Sequence, residues 1–257
     1  MSSTGGLAGQ RRANLTPMHV PGHEIAQLRR FYASPLGHLA TRMLRARLSA
    51  LWPIRPGSSL LGLGYPMPYL RIWKAPGDRT AACTYAGMGA QRWPRHRAGL
   101  ATVAEEDRLP FPDLAFDRVL MVHALEHAEN ARRALREAWR VLKDDGHLLV
   151  VVPSRTGWWA YAESTPFGHG HPYSQGQIER LLGSVMLRVV RRDVALFAPP
   201  LPWRAVLRGA GAWERAGRRF APRLGGVVLI EAVKDMYAAI PAGEAAPARR
   251  MVVGAEG

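Results

Sequence analysis

The sequence predicts a doubly wound α/β sheet preceded by an N-terminal helical extension, and three observations predict it. Short apolar runs alternate with stretches of helical period through the middle of the chain. Parallel strands need crossover connections, which are usually helices, so this alternation implies a sheet covered on both faces. The 257 residues fit one α/β core with appendages, and a hydrophobic fraction of 47% with 21% charged residues excludes a wholly disordered or collagen-like chain.

Residues 1–22 are rich in Gly, Ser and Thr without a period and are expected to form a flexible leader. A helical extension is expected over 23–56: Ser34-Pro35 is a cap followed by proline at the first helical position. Leu36, Leu39, Ala40, Met43, Leu44, Leu48 and Leu51 then mark one helix face, and Trp52-Pro53 ends it. The main domain is expected over 57–240. Ser59 to Leu63 reads as a buried strand closed by Gly64, Thr80 to Thr84 as a second and Phe116 to Val122 as a third. Asn130 caps a helix with Leu135, Ala138, Trp139 and Leu142 on one face, which Gly146 should end, and His147 to Val152 follows as a strand. Ser174 and Gln177 form a capping box for a helix reaching about Gly183. Leu187 to Val190 and Val194 to Phe197 read as two short strands. Trp203, Val206, Leu207, Ala210 and Trp213 suggest an amphipathic helix, and Val227 to Val233 the last strand. Residues 241–257, rich in Ala, Gly and Pro, should be a flexible tail.

Thirty-five basic against 20 acidic residues give a net charge of +15, which attracts polyanions, anionic membrane surfaces or acidic partners. The lone Cys83 excludes an intramolecular disulfide, a cysteine-based zinc site and a CxxC redox pair, and fits a reducing cytoplasm. No secretory apolar segment opens the sequence and no 18 apolar residues run together, so no transmembrane segment is expected. Arg92, Arg95 and Arg97 surround Trp93, and Arg215, Arg218, Arg219 and Arg223 follow Trp213. Without a base-reading module, these clusters imply at most non-specific nucleic-acid binding.

The segments SLLGLGYPMPYL (59–70), EEDRLPFPD (105–113), FDRVLMVHALEH (116–127) and EAWRVLKDDGHLLVVVP (137–153) occur in an order that resembles the class I S-adenosylmethionine-dependent methyltransferases of the small-molecule type. The resemblance covers roughly residues 57–198 and implies a Rossmann-like methyltransferase sheet, S-adenosylmethionine as cofactor and a small-molecule substrate. Gly64 matches the first glycine of the family's cofactor loop, and Gly62 stands where an acidic residue is usual. Pro66 and Pro68 replace the next two glycines, so weakened cofactor binding is expected. No acid matches the family's ribose ligand in AACTYAGMGAQ. The resemblance places Glu105, with Glu106 beside it, near the adenine. The resemblance also makes the 116–122 strand the family's fourth and puts His123 at its carboxyl end facing the crevice, as a base for a substrate hydroxyl or amine or as a residue that orders the loop.

His123-x-x-Glu126-His127 also spells an inverted zinc-protease motif. No helix supplies a third ligand, and no metal is expected. The loop TPFGHGHPYS (165–174) carries His169, His171 and Tyr173 and reads as a substrate lid or a structural loop. A methyltransferase-like fold without catalysis, serving as a binding or regulatory module, is the alternative that Pro66 and Pro68 motivate.

Overall fold

A computed structural model describes residues 23–73, 77–94 and 99–235 of the chain; the expected leader, the expected tail, Arg95 and Arg97 lie outside the described residues. Helices α1 (His23–Tyr32) and α2 (Pro35–Leu51) are joined by the Ser34 cap, whose side chain accepts the Gly37 N–H at 3.1 Å. A β-carbon on Gly37 would meet the Phe31 carbonyl oxygen at 1.9 Å, so the tight α1–α2 junction requires glycine there. Leu36, Leu39, Ala40, Leu44 and Leu48 face the core, as their spacing predicts.

Seven strands follow: β1 (Ser59–Gly64), β2 (Arg79–Tyr85), β3 (Ala101–Ala104), β4 (Phe116–Val122), β5 (Leu142–Pro153), β6 (Leu187–Ala195) and β7 (Val227–Lys234). Helices α3 (Ala131–Val141), α4 (Gln175–Gly183) and α5 (Arg204–Phe220) complete the fold. The sheet order is β3-β2-β1-β4-β5-β7-β6; β1 to β5 run parallel, and β7 is antiparallel to both neighbours. Strand order reverses between β1 and β4, the position where open α/β sheets take ligands. β1 is buried at every residue and β4 at all but Asp117, which is why β1 and the Val119–Val122 part of β4 read as apolar runs.

Two element expectations are corrected, and one strand was not expected. α3 ends at Val141, and Leu142 already pairs with Phe116 before the ladder slips to Arg118 and His147. Gly146 therefore serves this irregularity: a β-carbon on it would lie 2.7 Å from the Leu142 side chain. The region read as two short strands is the single edge strand β6, whose exposed Arg188, Arg191 and Arg192 interrupt the apolar pattern and guard the open edge. β3, with four residues of which none is buried, gave no apolar run to read.

Candidate active site at the sheet switch point

At the carboxyl ends of β1 and β4 the backbone makes two left-handed turns, at Gly64 (φ 80°) and His123 (φ 50°). Such a conformation strains a residue with a β-carbon, and strain of this kind gathers at functional sites. His123 is fully buried. Its Nε2 lies 2.7 Å from the Tyr32 hydroxyl and its Nδ1 3.1 Å from Glu126 Oε1, while the Tyr69 hydroxyl donates to Tyr32 at 3.0 Å. Because Tyr32 accepts from Tyr69, its own proton goes to His123 Nε2, and the imidazole is left with Nδ1–H to donate to Glu126. A neutral ring fits this chain: burial pulls the His123 imidazole below its ordinary value, and Glu126 offsets that only in part.

The expectation that His123 faces an open crevice is corrected. Tyr32, from the end of α1, occupies the space above it. The Tyr32 ring stacks on Tyr65 at 5.5 Å between centroids, meets Tyr69 edge-on at 6.1 Å, and lies 5.8 Å from the imidazole. Phe167 closes the other side, 4.8 Å from the His123 ring.

Gly62 and Gly64 do not border the open cavity either. A β-carbon on Gly62 would strike Pro66 at 2.5 Å, and one on Gly64 would strike the Val122 carbonyl oxygen at 2.5 Å. Both glycines answer to packing within the chain, where the resemblance assigned them to cofactor.

The open space lies to one side, a cavity of about 1060 Å³ over the carboxyl ends of β2, β3 and β4, roofed by α1 and by residues 166–171. Glu105 and Glu106 both border it. Glu106 accepts the backbone N–H groups of Glu129 (2.9 Å) and Asn130 (2.5 Å) and so fixes the entry to α3, while Glu105 is exposed at the rim. In a chain of net charge +15 the lining is acidic: Glu24, Glu105, Glu106, Asp107, Glu126 and Glu129 face a single Arg133. Three buried atoms of lining residues make no hydrogen bond: the Tyr85 hydroxyl, Glu126 Oε2 and His127 Nε2. Unpaired polar groups of this kind are rare in folded proteins and mark places where a ligand or water completes the set. His127 Nδ1 lies 3.3 Å from Glu24; burial opposes its charge, but Glu24 and Glu126 outweigh burial and raise the imidazole above its ordinary value. Donor atoms of His123, Glu126 and His127 fall within 4.8 Å of one another. Both His123 nitrogens are already engaged, so a metal ion there would have to break the bond to Tyr32 or to Glu126.

The 165–174 loop is fastened to this cavity. The His171 N–H donates to the Glu126 carbonyl at 3.1 Å, and Gly170 (φ 80°) passes so close that a β-carbon would lie 2.4 Å from the same oxygen. The His169 ring is bound to the Glu163 carbonyl (2.8 Å), and the Tyr173 hydroxyl donates to the Leu125 carbonyl at 3.2 Å. Tyr32, Tyr69 and Tyr85 are the site residues that sequence reasoning missed. The tyrosines flanking Pro66 and Pro68, in the place of small residues, were the available sign that the crevice is filled from within.

A mixed sheet with this order, parallel from β1 to β5 with β7 antiparallel, and a cavity at its carboxyl edge define a Rossmann-like methyltransferase fold. The family described as "Methyltransferase domain" matches residues 62–150. The chain is 32% identical over 138 residues to 27-O-demethylrifamycin SV methyltransferase of Amycolatopsis mediterranei, a match covering 48% of this chain and 50% of the relative. A ubiquinone/menaquinone biosynthesis C-methyltransferase of Bordetella avium is 47% identical over 53 residues, 21% of each chain. The chain thus spans half or less of the length of these curated relatives. Among solved structures, an S-adenosylmethionine-dependent methyltransferase of Archaeoglobus fulgidus aligns with TM-score 0.57 at 16% identity, covering 82% of this chain and all of the other. One from Thermotoga maritima aligns with TM-score 0.55, also at 16%, covering 82% and 96%. Residues 62–150 thus match a methyltransferase domain, and the fold is that of the solved S-adenosylmethionine-dependent methyltransferases.

Proposed function

We propose that the protein transfers a methyl group from S-adenosylmethionine to a small molecule in the cytoplasm, and that the cavity over β2, β3 and β4 receives the nucleoside end of the cofactor. The observation that carries this reading is the trio of unpaired buried polar atoms on Tyr85, Glu126 and His127 beside that cavity. The residues present fit the cofactor in part. Tyr85 ends β2 with a free hydroxyl, near where the family's ribose-binding acid is expected, and Glu105 sits at the rim. The crevice above Gly64 is filled by Tyr32, Tyr65 and Tyr69. When bound, S-adenosylmethionine supplies an electrophilic methyl group.

The chain's own contribution is orientation and exclusion of water by α1 and the 165–174 loop. The acidic lining favours cationic groups, and His127, raised by Glu24 and Glu126, is placed to hold a proton. His123 acts as a positioning residue that holds Glu126 and Tyr32. A small substrate is favoured by the cavity size, which is that of a cofactor and small-ligand site. The relative from Amycolatopsis, named for a small-molecule reaction, supports the same class.

Calorimetry with S-adenosylmethionine and S-adenosylhomocysteine tests the reading. Saturable binding that weakens in Tyr85→Phe and Glu105→Ala is expected. No heat at millimolar ligand, with the protein folded by circular dichroism, would favour the second reading: a methyltransferase fold whose closed crevice has made it a binding or regulatory module.

A further inference from the structure

Helix α5 packs on the core through Val206, Ala210 and Glu214, with Gly217 against the Phe197 ring. Glu214 is the only acid in the helix, and it is turned inward: buried, it accepts the Phe197 N–H at 2.7 Å. The outward surface divides lengthwise. Arg204, Arg208, Arg215 and Arg219 recur at helical spacing as one exposed stripe. Alongside run exposed Ala205, Ala212 and Ala216, then Trp213 and Phe220, two turns apart on one line and 43% and 82% exposed. The Arg219 guanidinium lies 5.8 Å from the Phe220 ring centroid, at the seam between the two strips. Exposed Arg223 and Leu224 continue the pairing beyond the helix end.

We propose that this face docks on an anionic phospholipid surface, with the axis of α5 lying in the membrane plane. An apolar strip parallel to a basic one is the arrangement that lets a helix dip its aromatic side into the acyl boundary while cations meet headgroup phosphates. Tryptophan suits that boundary, and arginine stems extend along apolar surface while their heads stay in the polar layer. Charge complementarity selects the partner: the helix exposes arginines and no acid, on a chain of net charge +15. The contact is peripheral, because among the described residues no helix is long and apolar enough to cross a membrane. A nucleic acid would instead call for aromatics interleaved with the cations along a groove. Here the two kinds of residue are segregated on a convex helix.

Vesicle flotation of the full chain tests the proposal. The protein should float with mixed phosphatidylglycerol and phosphatidylcholine vesicles and stay behind with phosphatidylcholine alone. Trp213→Ala with Phe220→Ser leaves the charge unchanged and should lower partition by about tenfold. Phe220→Ser alone, at a side chain too exposed to matter for folding, should lower it severalfold. Arg208→Glu with Arg215→Glu should reduce binding by about tenfold or more. The same charge change at exposed Arg29 and Arg30 on α1 should alter it less than about twofold. Binding that ignores the aromatic substitutions, or that falls equally with the α1 charges, would overturn the proposal in favour of diffuse attraction. Tighter binding to a short single-stranded RNA, abolished by the same α5 substitutions, would overturn it in favour of nucleic acid.

Discussion

Two places at the carboxyl edge of the sheet have opposite fillings. The switch-point crevice between β1 and β4 is packed with Tyr32, Tyr65, Tyr69 and His123, tied by the hydrogen-bonded chain Tyr69–Tyr32–His123–Glu126. The cavity over β2 and β3 is open, acidic and bordered by unpaired polar atoms. Glu126 belongs to both: Oε1 closes the chain in the crevice, and Oε2 is left without a partner. Topology fixes where a ligand site falls, but the residues at that edge decide which half of it stays open. Substitutions in the crevice should therefore act on stability first, and substitutions at the cavity on binding first.

The largest effect is expected at Gly64. Gly64→Val forces a β-branched residue to φ 80° and against the Val122 carbonyl, with strain and overpacking that together cost about 3 kcal/mol or more. Chemical denaturation would check it, and a midpoint near wild type would show that the crevice is looser than described. Next comes Tyr32→Ala, which empties an aromatic site and should cost about 3 kcal/mol. Tyr32→Phe isolates the hydroxyl; it leaves the His123 nitrogen unpaired and should cost about 1–2 kcal/mol. A double-mutant cycle with His123→Gln would show whether the two residues act as one unit.

At the cavity, Glu105→Ala is expected to change stability by less than about 0.5 kcal/mol while weakening S-adenosylhomocysteine binding severalfold. A stability loss without a binding loss would reverse the contrast between the two regions.

The smallest effect is the pH dependence. The native fold refuses a proton at His123 that the unfolded chain accepts, so this group lowers stability as pH falls through the ordinary imidazole value of about 6.5. His127 is shifted upward, so its contribution is present below that value and fades as pH rises through the native one. Melting curves from mildly acidic to mildly alkaline pH should be shallow in wild type. The acid side should flatten in His123→Gln, and the alkaline side should flatten in His127→Gln.

The frame of the fold was legible because its signals are local. β1 and the Val119–Val122 part of β4 are apolar runs, Ser34, Asn130 and Ser174 are caps that their structure confirms, and the Ser174–Gln177 box is present in full. β6 was legible only in pieces, since an edge strand alternates charge with apolar residues. At the site, Glu105 and Glu106, which the resemblance assigned to the cofactor, border the cavity. Gly62, Gly64 and His123 occupy the expected strand ends, yet what surrounds them was hidden. The residue that fills their space, Tyr32, is 91 positions from His123, and no local pattern relates the two.

Hydrogen–deuterium exchange of the full chain with and without saturating S-adenosylhomocysteine tests the central claim most directly, because it reads both regions at once. The open-cavity account predicts added protection over residues 85–88 and 105–107, with little change over 64–69. Protection concentrated at 64–69, with 85–88 and 105–107 unaffected, would contradict it and return the cofactor to the crevice that Tyr32 fills.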